Sequence, residues 1–182
     1  ARTARYFIEL ARMCAELGGK IMVLGSPQQR NLLPGVTHAD AMRYAADVIS
    51  QAIPTFEDCD VTLALEPLGP AEGDFLLTAD SGAELMAMVD SPHVQLHLDV
   101  KAMSTEAKPI PQIIEEHADH MAHFHANDPN LLGPAMGEVD FAPIFATLEK
   151  IGYDGWVSVE VFDYSPGVET IARESMANMR KH

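Results

Sequence analysis

The sequence predicts an α/β fold in which parallel strands alternate with helices, in a single domain over residues 1–182. Short apolar runs recur along the chain, and each is followed by a longer segment whose apolar residues have helical spacing. Strands and helices that alternate in this way form parallel βα units. No repeat, low-complexity tract or linker divides the chain, so one domain accounts for all of it.

The N-terminal elements are assigned from apolar spacing and from residues that stop helices. Residues 1–18 have helical spacing of apolar side chains, and the pair Gly18-Gly19 ends the predicted helix. Residues 20–25 form the first predicted strand. A second helix is predicted over residues 38–57, with Pro54 near its end, and a second strand over residues 61–66.

The C-terminal elements continue the same alternation. A helix ending at residue 90 is predicted to have Asp80 or Ser81 as its N-cap, and Asp140 is the predicted N-cap of a later helix over residues 141–152. Two further helices are predicted, at residues 110–121 and 168–179. The remaining strands are predicted at residues 94–99, 122–127 and 156–162.

Four of the predicted strands carry a residue that can bind a metal ion near their carboxyl ends, namely Glu66, Asp99, His125 and Glu160. The gaps of 33, 26 and 35 residues each fit one strand, loop, helix and loop. Parallel βα units place all strand carboxyl ends on one face, so these side chains should converge. One acidic residue at a strand end more often caps a helix or faces solvent, but four in successive units indicate a shared cation. The sequence therefore predicts one divalent metal ion, Mn²⁺, Mg²⁺, Co²⁺ or Zn²⁺.

Two further histidines, His97 and His123, lie two residues before ligand candidates on their strands. Because side chains alternate along a strand, both should point to the same side as the ligands, one step below them. Buried histidines beneath a metal can hold its ligands in orientation. The alternative is that both are core histidines with hydrogen bonds of their own.

Composition excludes several classes of function. The chain is 47% hydrophobic and 21% charged, with a net charge of −15 that disfavours nucleic acid as a partner. No apolar stretch approaches the roughly 20 residues of a membrane span, and no secretory signal is visible, so we expect no membrane contact and a cytoplasmic location. Cys14 and Cys59 have neither disulfide nor zinc spacing and are interpreted as reduced structural thiols.

Several motifs occur in a consistent order along the chain: GSPQQR, LALEPL, LHLD, HFHAND followed by GPAMGEVDF, and GWVSVEVF. In this order they resemble the xylose-isomerase-like TIM-barrel family of sugar and sugar phosphate isomerases and epimerases, the group that contains tagatose 3-epimerase. The resemblance implies a parallel (β/α) TIM-barrel type of fold. The five strands match the last five of eight, so the first three βα units of the barrel are expected to be absent.

The resemblance also implies roles for individual residues. At the matching positions the family binds its metal through Glu66, Asp99, His125 and Glu160, and the two glutamates also move the substrate proton. Glu72 matches a substrate-contacting acid.

Two positions depart from the family pattern. A family histidine that contacts substrate is replaced by Ala102, and a family arginine is replaced by Leu131. Lys101, Asn127 and Asp128 are candidate substitutes for these substrate contacts. The departures suggest that the substrate differs from a free ketohexose, and a sugar, a sugar phosphate or a polyol is expected.

The expected activity is sugar isomerisation or epimerisation by proton transfer next to a carbonyl, through an enediolate that the metal would stabilise. Three alternatives stay open. The first is a lyase or dehydratase that uses the same metal site on a keto-sugar or polyol. The second is a DNA-repair endonuclease, which the acidic surface and the absence of further histidines, at Ala102 and in GEVDF, oppose. The third is a non-catalytic fragment with a vestigial site. Because an incomplete barrel has two open edges, a homo-oligomer is also expected.

Overall fold

The computed structural model describes residues 2–181. Its five strands form one parallel sheet in which each strand pairs with its neighbours in the sequence. The strands are β1 (Ile21–Leu24), β2 (Thr62–Leu65), β3 (Val94–Asp99), β4 (Met121–Ala126) and β5 (Val157–Val159). The prediction of a parallel sheet built from successive βα units is therefore confirmed.

The helices fill the connections between the strands. They are α1 (Arg2–Glu16), α2 (His38–Ser50), α3 (Ile53–Cys59), α4 (Ala79–Val89), α5 (Val100–Met103), α6 (Ile110–Glu116), α7 (Ala142–Lys150) and α8 (Val168–Met179). A short 3₁₀ turn, Ala118–His120, leads into β4. None of the helices in the described part of the chain combines the length and apolarity needed to cross a lipid bilayer.

The hydrophobic core lies where the sheet packs against these helices. In β3, Leu96 and Leu98 are buried members of this core. The intervening residues, His97 and Asp99, point to the opposite side of the sheet because side chains alternate along a strand. They are also buried, so β3 is covered on both faces, as expected for a central strand of a parallel sheet. The sheet thus has an apolar side toward the helices and a polar side that carries the ligand candidates.

The single helix predicted over residues 38–57 is wrong, because the structure has two helices there. The helix α2 ends at Ser50, and α3 starts at Ile53 with Pro54 in its first turn. Proline is tolerated in a first helical turn, where the missing N–H has no partner within the helix. Pro54 therefore marks the start of a helix and not the end of one.

Both predicted N-caps are also wrong. Thr78 is the N-cap of α4, where its hydroxyl accepts a hydrogen bond from the N–H of Ser81 and the Ser81 side chain accepts one from the N–H of Thr78. This reciprocal capping box places the helix start before Asp80. In α7 the N-cap position is held by Phe141. The Asp140 carboxylate nevertheless accepts a hydrogen bond from the N–H of Ala142.

Three further element boundaries differ from the prediction. The short helix α5 was not expected; it begins directly after β3, with Asp99 as its N-cap. The helix predicted over residues 110–121 ends at Glu116. The edge strand predicted over residues 156–162 is reduced to Val157–Val159, which pairs with β4 alone within residues 2–181.

Candidate metal centre

The four predicted ligand residues come together around the imidazole of His125. Its Nδ1 atom lies 3.4 Å from Glu160 Oε2, 3.5 Å from Asp99 Oδ2 and 4.0 Å from Glu66 Oε1. Asp99 and His125 are direct partners in the pairing of β3 with β4, which sets their side chains next to each other. Side chains from four strands or strand ends thus reach one point, as the spacing of the sequence predicts.

The donors at this point fit a divalent cation. The Nδ1 atom of His125 is buried and makes no hydrogen bond, although three carboxylates surround it. Glu66, His97, Asp99 and His125 each offer a ligand atom, and these atoms all lie within 4.8 Å of one another. Carboxylates with imidazole suit Mg²⁺, Mn²⁺, Co²⁺ or Zn²⁺. The group therefore has the composition and the spacing of a possible metal site.

Burial and the close approach of the carboxylates change the protonation of the cluster. Burial raises the pKa of Glu66 to about 7, and repulsion from the carboxylates of Asp99 and Glu160 adds to this effect. Burial opposes the charged form of His125, but the carboxylates of Asp99 and Glu160 outweigh it and raise the pKa of this histidine to about 9. In the metal-free protein, protons thus partly compensate the negative charges that a metal ion would otherwise balance.

The two second-layer histidines lie where strand alternation predicts, beside and below His125. The ring centroid of His97 is 4.0 Å from that of His125, and the ring of His123 is 5.2 Å from it. His97 is fully buried, its Nδ1 lies 3.8 Å from Glu66 Oε2, and neither ring nitrogen has a hydrogen-bond partner. Burial, and repulsion from His125 and His123, lower the pKa of His97 to about 2, so its ring is neutral.

A glycine in the adjacent strand end makes room for one ligand. A Cβ atom at Gly25 would lie 1.7 Å from Glu66 Oε2, which is far inside van der Waals contact. Any side chain at this position would therefore displace the carboxylate of Glu66. The sequence analysis did not assign Gly25 a role, although its place directly after a strand was a usable signal, since glycine often marks a close approach of another group.

Glu72 and Lys101 form an ion pair at the rim of the cluster. Lys101 Nζ lies 2.7 Å from Glu72 Oε1, and the Lys101 side chain is only 12% exposed. The same ammonium lies 5.1 Å from the ring centroid of Phe162, within the range of a cation–π contact. Lys101 therefore connects the loop after β2 with the segment after β5 and is not a solvated loop lysine. Phe162 was not predicted as part of this region.

Asn127 and Asp128 lie inside the protein, directly after β4. The Asn127 side chain donates a hydrogen bond to Asp99 Oδ2 over 2.6 Å and accepts one from the N–H of Lys101 over 2.8 Å. Asp128 accepts a hydrogen bond from the N–H of Val139 over 3.3 Å. Both are buried and already hydrogen-bonded within the protein.

The two positions that depart from the family pattern have no side chain able to form a hydrogen bond. Ala102 is buried in α5, and its N–H donates a hydrogen bond to Asp99 Oδ1. Leu131 has a positive φ of 72°, and its carbonyl accepts hydrogen bonds from the N–H groups of Phe162 and Asp163. Leu131 thus ties the loop after β4 to the segment after β5 through its main chain.

Arg30 is a further charged residue that the sequence analysis did not single out, although it lies in the GSPQQR motif. Its Nη1 donates a hydrogen bond to the carbonyl of Leu24 over 3.0 Å, and its Nη2 is buried without a partner. Burial lowers the pKa of Arg30, while the negative charges of Glu66 and Glu72 act in the opposite direction. Arg30 therefore places a positive charge close to these two carboxylates.

Comparison with known proteins gives a consistent picture. The D-psicose 3-epimerase of Enterocloster bolteae is 32% identical over 108 residues, which cover 59% of this chain and 36% of that enzyme. The L-ribulose 3-epimerase of Mesorhizobium japonicum is 26% identical over 96% of this chain and 59% of its own length. The chain thus spans less than two thirds of the length of these relatives.

Solved structures share the fold. The crystal structure of 3-keto-D-glucoside 4-epimerase from E. coli superposes with a TM-score of 0.88, over 98% of this chain and 70% of that protein, at 21% sequence identity. The family model described as "Xylose isomerase-like TIM barrel" matches residues 1–182. The predicted barrel-type fold and family are therefore confirmed, and the chain belongs to the xylose isomerase-like TIM barrel family.

Proposed function

We propose that this chain carries the metal-binding and proton-transfer part of a sugar isomerase or epimerase. The observation that carries the proposal is the convergence of three carboxylates on the buried Nδ1 of His125, at the carboxyl end of a parallel sheet. In barrels of this kind that end carries the chemistry. The names of the relatives, ketose 3-epimerases among them, support a small sugar as substrate.

Glu66, Asp99, His125 and Glu160 are the proposed ligands of one divalent ion, Mn²⁺, Mg²⁺, Co²⁺ or Zn²⁺. When bound, such an ion supplies Lewis-acid polarisation of a substrate carbonyl, which acidifies the neighbouring C–H group. His97 and His123 are proposed to support these ligands from below. The neutral ring of His97 fills the space beside Glu66 without adding a charge to the cluster.

Glu66 and Glu160 are the proposed proton carriers. A carboxylate can act as general base or general acid when it lies within reach of the reacting C–H group, and both glutamates face the proposed metal position at His125. The two glutamates follow different strands, β2 and β5, which are separated in the sheet by β3 and β4. One glutamate can therefore remove the proton next to the carbonyl, and the other can return it to the opposite face of the enediolate, which gives an epimer.

Glu72 and Lys101 are the proposed polar contacts to the rest of the substrate. Their ion pair offers a carboxylate oxygen and an ammonium group side by side, so it can accept from and donate to neighbouring hydroxyl groups of a sugar or polyol. A sugar phosphate is the alternative, for which Lys101 would provide the cation. We also propose that the protein is located in the cytoplasm and forms a homo-oligomer.

The first prediction concerns metal binding. His125→Ala and Asp99→Ala each remove a donor from the cluster, so both should weaken Mn²⁺ or Co²⁺ binding at least about 100-fold, as measured by isothermal titration calorimetry on the metal-free protein. His120→Ala is the matched control, because this histidine is exposed and lies outside the cluster. Unchanged affinity in the two site variants would show that the ligands are misassigned.

The second prediction is that metal affinity rises with pH. Glu66, with a pKa of about 7, and His125, with a pKa of about 9, hold protons below these values, and bound protons compete with the metal. Affinity should therefore increase by a factor of about ten or more between pH 6 and pH 8. Calorimetry at several pH values tests this, and a flat profile would contradict protonated ligands in the metal-free protein.

The third prediction separates proton transfer from ligation. Glu66→Gln and Glu160→Gln should each lower turnover by about 100-fold or more at saturating metal, because glutamine cannot carry the proton. A panel of free ketoses and ketose phosphates in D₂O serves as the assay, and deuterium should enter the carbon next to the carbonyl. Glu138→Gln, an exposed residue, is the control. Epimeric or isomeric products without deuterium would point to a hydride shift, whereas dehydrated products would favour a lyase.

The fourth prediction concerns assembly. The edge strands β1 and β5 each lack a partner on one side in the described part of the chain. Val23 within β1 and Trp156 directly before β5 are exposed apolar side chains. Open edges of this kind promote pairing with another copy. Size-exclusion chromatography with light scattering should therefore give a mass of at least twice 19.8 kDa. A stable, fully active monomer would overturn this expectation.

A further inference from the structure

Asn127 occupies a position from which it can control a proposed metal ligand. It follows β4 directly, is only 1% exposed, and both ends of its side-chain amide are used. The Nδ2 group donates to Asp99 Oδ2 over 2.6 Å, while Oδ1 accepts from the N–H of Lys101 over 2.8 Å. Because the side chain is enclosed and is already bonded at both ends of its amide, it presents little accessible surface to a substrate.

The Asp99 carboxylate is fixed at both oxygens by this arrangement. Oδ1 accepts a hydrogen bond from the N–H of Ala102 over 2.9 Å, and Oδ2 accepts the bond from Asn127. Oδ2 is also the atom that lies 3.5 Å from His125 Nδ1. The donor from Asn127 therefore acts on the oxygen that faces the cluster, and together with the N–H of Ala102 it limits the rotation of the carboxylate about its last bond.

The second hydrogen bond of Asn127 also positions residues at the rim of the site. By accepting the N–H of Lys101, Asn127 holds the first turn of α5, from which the Lys101 side chain reaches Glu72. One amide thus connects the proposed metal ligand Asp99 with the proposed substrate contacts. The connection runs from Asp99 through Asn127 and the main chain of Lys101 to Glu72, and each polar contact in it is 2.8 Å or shorter.

We propose that Asn127 is a positioning residue for the metal centre and not a substrate contact. It orients Asp99 toward the cluster and seats the segment that carries Lys101. This inference replaces the substrate-binding role expected for Asn127 from the sequence, and it rests on the proposed metal site. Groups that orient a metal ligand typically change metal affinity by about 10- to 100-fold when they are removed.

Metal binding by two variants that lose different hydrogen bonds of Asn127 tests the inference. Asn127→Ala removes both hydrogen bonds, whereas Asn127→Asp keeps the size and the acceptor for the Lys101 N–H but loses the donor to Asp99. Both should lower Co²⁺ affinity by about 10- to 100-fold in calorimetric titrations. Both should also change the visible absorption spectrum of bound Co²⁺, which reports ligand geometry and would not respond to a general loss of stability.

Asn130→Asp is the matched control. This exposed asparagine lies in the same loop and bonds to the main chain of Leu132 and Met136, so the affinity and the Co²⁺ spectrum should stay as in the parent. If Asn127→Asp does not fold, Asn127→Ala decides the question, since it adds no charge beside Asp99.

The outcomes separate the inference from the proposed function. Parent-like Co²⁺ affinity and spectrum in a folded Asn127 variant, with a raised KM for sugar, would overturn the positioning role and restore the substrate contact. If the parent chain binds no metal at all, the proposed metal site is refuted. The positioning role of Asn127 is then refuted as well.

Discussion

The concentration of negative charge around one imidazole is the constraint on which the rest of this structure depends. Glu66 and Asp99 are buried, Glu160 is partly buried, and all three face His125. Carboxylates at such distances repel one another, and removal from water adds to the cost of their charges. Burial and this repulsion raise the pKa of Glu66, whereas burial opposes the charged form of His125 but attraction by the carboxylates outweighs it and raises the pKa of this histidine. The arrangement is favourable only when protons or a cation compensate the charge.

The barrel-type sheet explains how such a cluster can exist in a stable protein. The apolar side of each strand packs on the helices, so stability comes from side chains such as Leu96 and Leu98 that take no part in the site. The opposite side is free to hold polar groups at the strand ends. Pairing register then places Asp99 beside His125, and residues just after the strands, Ala102 and Asn127, orient its carboxylate. Fold stability and site chemistry are thereby assigned to different faces of the same strands.

Sequence reasoning was successful where the information is local and periodic. Strand alternation and the spacing of Glu66, Asp99, His125 and Glu160 were sufficient to predict their convergence. It failed where contacts between distant segments decide the outcome. The fixed position of Asn127 depends on α5, a helix of one turn after β3, whereas the cap at Thr78 is a local exception, because its reciprocal bonds with Ser81 span only three residues. Hydrogen bonds across long sequence separations are set by packing and cannot be read from spacing.

The contact between Gly25 and Glu66 has a consequence for the interpretation of related sequences. The four predicted ligand residues can all be present in a chain in which the Glu66 carboxylate lies elsewhere, because a Cβ atom at the position of Gly25 would lie 1.7 Å from Glu66 Oε2. An inventory of ligands is therefore an incomplete criterion for a working centre. The glycine after the neighbouring strand is a simple additional marker by which sequences with an intact centre can be distinguished from those that keep the ligands alone.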